Sequence, residues 1–88
     1  MAEPTRVEVG RVIGFFAQPS VAIIEVQQGA SLRVGETIAI KGHTTDFQQT
    51  VESMQVEHQP VTQAEAGQSV GIKVQDRVRK NDVVYKVG

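Results

Sequence analysis

Residues 37–56 read TIAIKGHTTDFQQTVESMQV, and this stretch decides the fold. Ile38 and Ile40 fall on one side of an alternation, with Thr37, Ala39 and Lys41 on the other. A period of two marks a strand with one buried face. Gly42-His43-Thr44-Thr45-Asp46 then supplies small and polar turn formers. A second β-type run follows from Phe47 to Glu57. Thr37–Val56 is therefore expected to be a β-hairpin with a polar tip, and its apolar face gives the other strands something to pack on.

Working outward, the phase of the first apolar run slips. Val7 and Val9 are odd, whereas Val12, Gly14 and Phe16 are even, and Gly10 sits at the slip. A glycine where the phase changes predicts a bulge or sharp bend in a strand over Arg6–Phe16. Gln18-Pro19-Ser20 is expected to turn, and the near-continuous apolar run Val21–Val26 to form a strand buried wholly or partly on both faces. Gln27–Gly35 reads as a connector in which Leu32 and Val34 plug one end. Strand three is Glu36–Lys41. Phe47–Glu57 slips phase again, from Phe47 and Val51 to Met54 and Val56, which predicts a bulge near Glu52-Ser53. Pro60 ends that strand, and residues 63–67 read as a tight polar return or a single helical turn. Val70, Ile72 and Val74 share a face in strand five. After the charged turn Arg77–Asp82, strand six runs over Val83–Val87 with Val83, Tyr85 and Val87 on one side.

Six short strands, polar turns and no amphipathic helix predict an all-β chain. At 88 residues only one domain fits, spanning 1–88 with residues 1–5 as a flexible lead, and about 60–65% of the unfolded surface can be buried. Two broad sheets are beyond that size, so a closed or nearly closed six-stranded antiparallel barrel is expected, which also removes exposed edges.

Composition excludes several function classes. Cysteine is absent, which removes disulfides, thiolate metal sites and thiol catalysis. No apolar run reaches the roughly 18–20 residues of a membrane span, and the polar start lacks the order of a signal peptide. A cytoplasmic setting with no membrane contact is the expectation. Nine basic and ten acidic residues give a net charge of −1, so an RNA contact would have to rest on a local patch rather than on bulk charge.

Three constellations are candidates. The first is His43, Thr44, Thr45 and Asp46 at the hairpin tip, a contact loop or a purely structural turn in which Thr and Asp side chains satisfy backbone groups. His43 and His58 are the only histidines. A stable zinc site needs three or four ligands, so no metal is expected. The second is Arg77, Arg79 and Lys80 with Lys73 and Lys86 on adjoining strands, a patch for phosphate oxygens or a solvated charged turn diluted by Asp76 and Asp82. The third is Phe15-Phe16. Adjacent strand residues face opposite ways, so one belongs in the core and the other is free to stack on a base, to anchor a protein, or to lie under the Gln18-Pro19 turn. No serine has a convincing histidine–acid partner along the chain, and neither catalysis nor a cofactor is expected.

The order of turns carries a resemblance. Val9-Gly10-Arg11-Val12, Leu32-Arg33-Val34-Gly35-Glu36-Thr37-Ile38 and Ala66-Gly67-Gln68-Ser69-Val70-Gly71-Ile72 resemble the barrel corners of the second domain of translational GTPases such as elongation factor Tu. The run Lys41–Phe47 with Gln49–Gln55 is more specific and is similar to the C-terminal barrel of the collagenase-like peptidase family. The resemblance covers roughly Val7–Val87, and small free-standing proteins of this kind are described as translation-factor-like. No G-x-x-x-x-G-K-[ST] loop is present, so no nucleotide is implied. The peptidase-like family's catalytic part lies in another domain, and its members are linked to tRNA and ribosomal RNA hydroxylation as well as proteolysis. The resemblance therefore implies a non-enzymatic module that contacts tRNA, ribosomal RNA or a ribonucleoprotein. The alternative is a docking subunit acting in trans with a separate catalytic protein.

Overall fold

The computed structural model describes residues 6–18 and 20–87. The expected flexible lead over 1–5 and Pro19 of the expected turn lie outside them. The elements are β1 (Arg6–Phe16), β2 (Val21–Val26), β3 (Ser31–Arg33), β4 (Thr37–Lys41), β5 (Asp46–Thr50), β6 (Met54–Val56), β7 (Gln59–Val61), β8 (Gln63–Glu65), β9 (Ser69–Lys73) and β10 (Val83–Val87). Among the described residues there is no helix. Eight strands make one antiparallel sheet in the order β5-β4-β10-β1-β2-β9-β6-β7, and β3 pairs with β8.

The expected hairpin forms as β4 and β5, in register from Thr37↔Thr50 to Lys41↔Asp46. Gly10 also behaves as its position predicts. The register of β1 against β10 shifts between Glu8 and Gly10, which lets Val9 and Val12 both turn inward. A second shift, against β2, falls between Val12 and Gly14.

Three expectations need correction. The six strands are ten, because β3, β7 and β8, three residues each, are too short to show a period and the expected fourth strand divides in two. Gln63–Glu65 is the strand β8, held by Leu32↔Ala64, rather than a helical turn. The run Phe47–Glu57 is not one bulged strand but two, broken at Val51-Glu52-Ser53, with β5 on β4 and β6 on β9.

Among the described residues no hydrogen-bonded ladder closes the sheet, so of the expected closed or nearly closed barrel, full closure is not seen. The sheet is instead rolled. β5 and β6 lie far apart in its order yet are joined by only Val51, Glu52 and Ser53, which draws edge strand β5 round towards β9. Side chains stitch that seam: Gln49 Nε2 donates to the Lys73 carbonyl at 2.9 Å, and the Gln75 amide donates to Gln49 Oε1 at 2.8 Å. Gln75 Nε2 also donates to the Gln48 carbonyl at 3.2 Å.

The core is the inside of this roll: Val9, Val12, Ala22, Ile24, Ile38, Ile40, Val51, Met54, Val70, Ile72, Val74 and Val84. On β10 the residue that reaches it fully is Val84. Val83, Tyr85 and Val87 share the other side, as expected, and are partly buried. Leu32 closes one end completely, whereas Val34 remains exposed.

Candidate functional site

Two surfaces stand out, and the first joins two of the candidate constellations. The hairpin tip is closed by the Gly42 amide donating to the Thr45 carbonyl at 2.8 Å. Thr45 is buried, while His43, Thr44 and Asp46 are exposed. The turn after Val78 docks on this tip. Arg79 Nε donates to Thr44 Oγ1 at 2.9 Å, and Asp82 Oδ2 accepts from the Arg79 amide at 2.8 Å. Asp82 is buried at 4% exposure and lies so close to Gly42 that a Cβ there would overlap its carboxylate. The turn is also tied to β1, since the Val12 amide donates to the Asp82 carbonyl and the Asn81 amide to the Val12 carbonyl, both at 2.8 Å. The structure therefore assembles Thr44, Arg79, Asp82 and Gly42 into one clamp, with Arg77 and Lys80 exposed beside it. Asp46 faces Lys41 across the base of the hairpin at 3.6 Å, an exposed pair of small energetic weight.

Asp82 was legible only as a residue diluting a basic patch, yet it organises the clamp. Replacing it with alanine leaves the part-buried Arg79 amide without its acceptor and is expected to cost about 1 kcal/mol. Asp82→Asn keeps an oxygen acceptor and should retain most of that in a urea or thermal melt. Equal losses for the two variants would show that the carboxylate's charge, not its acceptor geometry, holds the turn.

Lys73 does not join the clamp. It lies on the second surface, a groove of about 420 Å³ on the outer side of the roll, lined among others by Phe16, Val21, Ile23, Gly71, Ser69 and His58. Phe15 packs against the core, and Phe16 projects outward with 60% of its surface exposed. The floor is hollow because Gly71 stands in register with Ile23 on one side and Gln55 on the other. One wall is the Glu57-His58 turn between β6 and β7. Both residues have positive φ, 51° and 63°, as a two-residue type I′ hairpin requires. Asn-Gly is the usual choice there. A glutamate and a histidine in that conformation are held against their own preference. Ser53, Ser69, Glu57 and His58 all border the groove, but among the described residues none of their side chains hydrogen-bonds another, so no nucleophile–base pair is assembled.

Of the groove's residues, only Phe16 and Lys73 carried a signal in the sequence. The rest come from β2, β6, β9 and the turns beside them, and meet only once these strands pair.

Known proteins similar to this chain include a protease and a collagenase. The chain is 42% identical over 81 residues to an uncharacterized protease of Methanocaldococcus jannaschii, a match covering 91% of this chain and 19% of that protein. A collagenase of Porphyromonas gingivalis is 37% identical over 82 residues, covering 92% of this chain and 20% of its own. The chain spans about one fifth of the length of these relatives. Among solved structures, the C-terminal domain of a Geobacillus thermoleovorans protein assigned to the U32 peptidases superposes with a TM-score of 0.81. That match has 20% identity and covers 89% of this chain and 96% of that one, so it establishes the shared fold alone. No protein-family model matches the chain. The peptidase side of the sequence resemblance is thus supported, while the elongation-factor side gains nothing from these relatives. Among the described residues, no helix is long and apolar enough to cross a membrane.

Proposed function

We propose that this chain is a non-enzymatic docking module for a peptidase-type catalytic protein. The observation that carries the reading is the open apolar groove with Phe16 at its edge. In a fold this small nearly every large apolar side chain is needed inside, so a phenylalanine left 60% exposed beside exposed parts of Val21 and Ile23 is a feature to be explained by a partner. The relatives supply the partner's kind. In them a stretch similar to this chain accompanies about four fifths of a protease or collagenase, and docking to such a catalytic part, in cis or in trans, is the role consistent with both findings.

The immobilised chain is expected to retain, from the cells that make it, a protein whose peptides match the remaining four fifths of those relatives. Phe16→Asp should abolish that retention while leaving the melting temperature within a few degrees, because Phe16 contributes little to the core. Failure to retain such a protein sinks the reading.

A second reading, contact with tRNA or ribosomal RNA, rests on Arg77, Arg79 and Lys80, which are exposed on one turn and form no ion pair among the described residues. It would take over if labelled bulk tRNA bound at low salt, released as salt rose, and bound less to Arg79→Ala/Lys80→Ala.

A further inference from the structure

The groove has a direction. On the outer side of the roll, β2 and β9 pair so that Val21 stands opposite Lys73, Ile23 opposite Gly71 and Glu25 opposite Ser69. β6 continues the same rows: Gln55 stands opposite Gly71, and the register extended in each direction sets Ser53 level with Lys73 and Glu57 level with Ser69. Phe16 joins the first row through its pairing with Val21. The three rows therefore differ in chemistry. The first is apolar and basic, with Phe16, Val21 and the Lys73 ammonium. The middle is a trough, with Ile23 beside the side-chain-free Gly71. The third carries Glu57 beside Ser69, with His58 at the turn, while Glu25 on the other side of Ser69 stands opposite Arg11 of β1.

Lys73, Glu25 and Glu57 are all exposed and form no ion pair among the described residues. Alternate residues of a strand recur about every 7 Å, so the rows are spaced as the side chains on one face of an extended peptide are spaced.

We infer that the groove binds an extended protein segment bearing, at alternate positions, an acidic residue, a large apolar residue and a basic residue. This rests on the docking reading above and identifies the part of the partner that is held. The acidic side chain lies at Lys73, the apolar one fills the trough over Gly71 against Ile23 and Phe16, and the basic one lies at Glu57 beside Ser69. The type I′ turn fixes Glu57 and His58 as a rigid end wall, so the segment's register is set before it arrives.

The test uses acetylated, amidated peptides in which a phenylalanine is flanked by threonines, with aspartate at one end and lysine at the other. Binding to the full chain is followed by fluorescence anisotropy. The mixed-charge peptide is expected to bind about threefold to tenfold more tightly than versions with two aspartates or two lysines, and replacing its phenylalanine with alanine should remove binding. Lys73→Glu, an exposed substitution that the fold tolerates, should invert the ranking so that the two-lysine peptide binds best. Gly71→Val would fill the trough, its Cβ meeting Val21 Cγ1 at 3.3 Å, and should abolish binding. Phe16→Ala gives the same readout if Gly71→Val fails to fold.

No saturation by any peptide, or a ranking unmoved by Lys73→Glu, overturns the inference. It is equally overturned if bulk tRNA binds the chain and Phe16→Ala removes that binding. If the catalytic protein is still retained by the Lys73→Glu and Gly71→Val variants, this inference falls while the docking reading stands. If nothing is retained but the peptides rank as expected, the docking reading falls and the groove's specificity stands.

Discussion

Replacing Gly10 with valine is expected to lower the melting temperature by about 12–24 °C, the equivalent of roughly 3 kcal/mol in a chain of this length. The cause is contact with backbone rather than with a yielding side chain. A Cβ at Gly10 would lie 2.5 Å from the Glu25 carbonyl oxygen and 3.0 Å from Ile24 Cγ2. Glu25 belongs to the β1–β2 ladder, so the clash cannot be relieved by a rotamer change. The strands must part or the bulge must move. If the bulge moved by one residue, Val9 or Val12 would turn outward, since one step in a strand exchanges its faces. Overpacking of this kind costs about 1–3 kcal/mol and sometimes more, and the top of that range applies where both neighbours are main chain or buried. A melting temperature within about 4 °C of the parent would mean that the bulge is not a fixed feature of the fold.

The second large effect is expected at Leu32. It is fully buried and closes one end of the roll from the small β3–β8 pair, where the residue directly opposite is Ala64, also fully buried. Truncating a buried leucine to alanine costs about 2–5 kcal/mol, more where the surroundings cannot collapse into the void. Here the facing residue is already the smallest side chain that could line it, so Leu32→Ala should fall in the upper half of that range in urea denaturation. Moving the volume across the pair, with Leu32→Ala and Ala64→Leu together, should recover a substantial part of the loss, because cores tolerate swaps that conserve total volume. A double variant no more stable than Leu32→Ala alone would show that the end is closed by shape rather than by volume.

How far the fold could be read from the chain differs from element to element, for physical reasons. Thr37–Lys41 was legible because it alternates over five residues with its core face in one phase. Gly10 was legible because a phase slip needs a residue that permits close approach. Ser31–Arg33 and Gln63–Glu65 were not, since three residues cannot display a period and each is a strand only because the other pairs with it. Gln59–Val61 was hidden by Pro60, which ordinarily stops a strand. It is admitted here because β7 is an edge of the sheet, where a missing amide is tolerated. On β10 the alternation was visible, but four of its five residues are apolar, and hydropathy alone cannot choose which side turns inward. The clamp was half legible. Both of its partners were picked out, but the bond from Arg79 to Thr44 joins residues 35 apart in the chain, and local spacing carries no trace of it. The groove was barely legible, because its central feature is Gly71, a residue that contributes by having no side chain.

The position of β10 has a consequence for synthesis. The last strand of the described chain does not join an edge. It lies between β4 and β1 and pairs with both. Without β10, the β4–β5 hairpin and the layer β1-β2-β9-β6-β7 share no strand ladder and meet only across the side-chain seam between β5 and β9. Each piece has an apolar face and an unpaired edge waiting for the same five residues. The sheet is therefore incomplete during synthesis for as long as these five residues remain inside the ribosome.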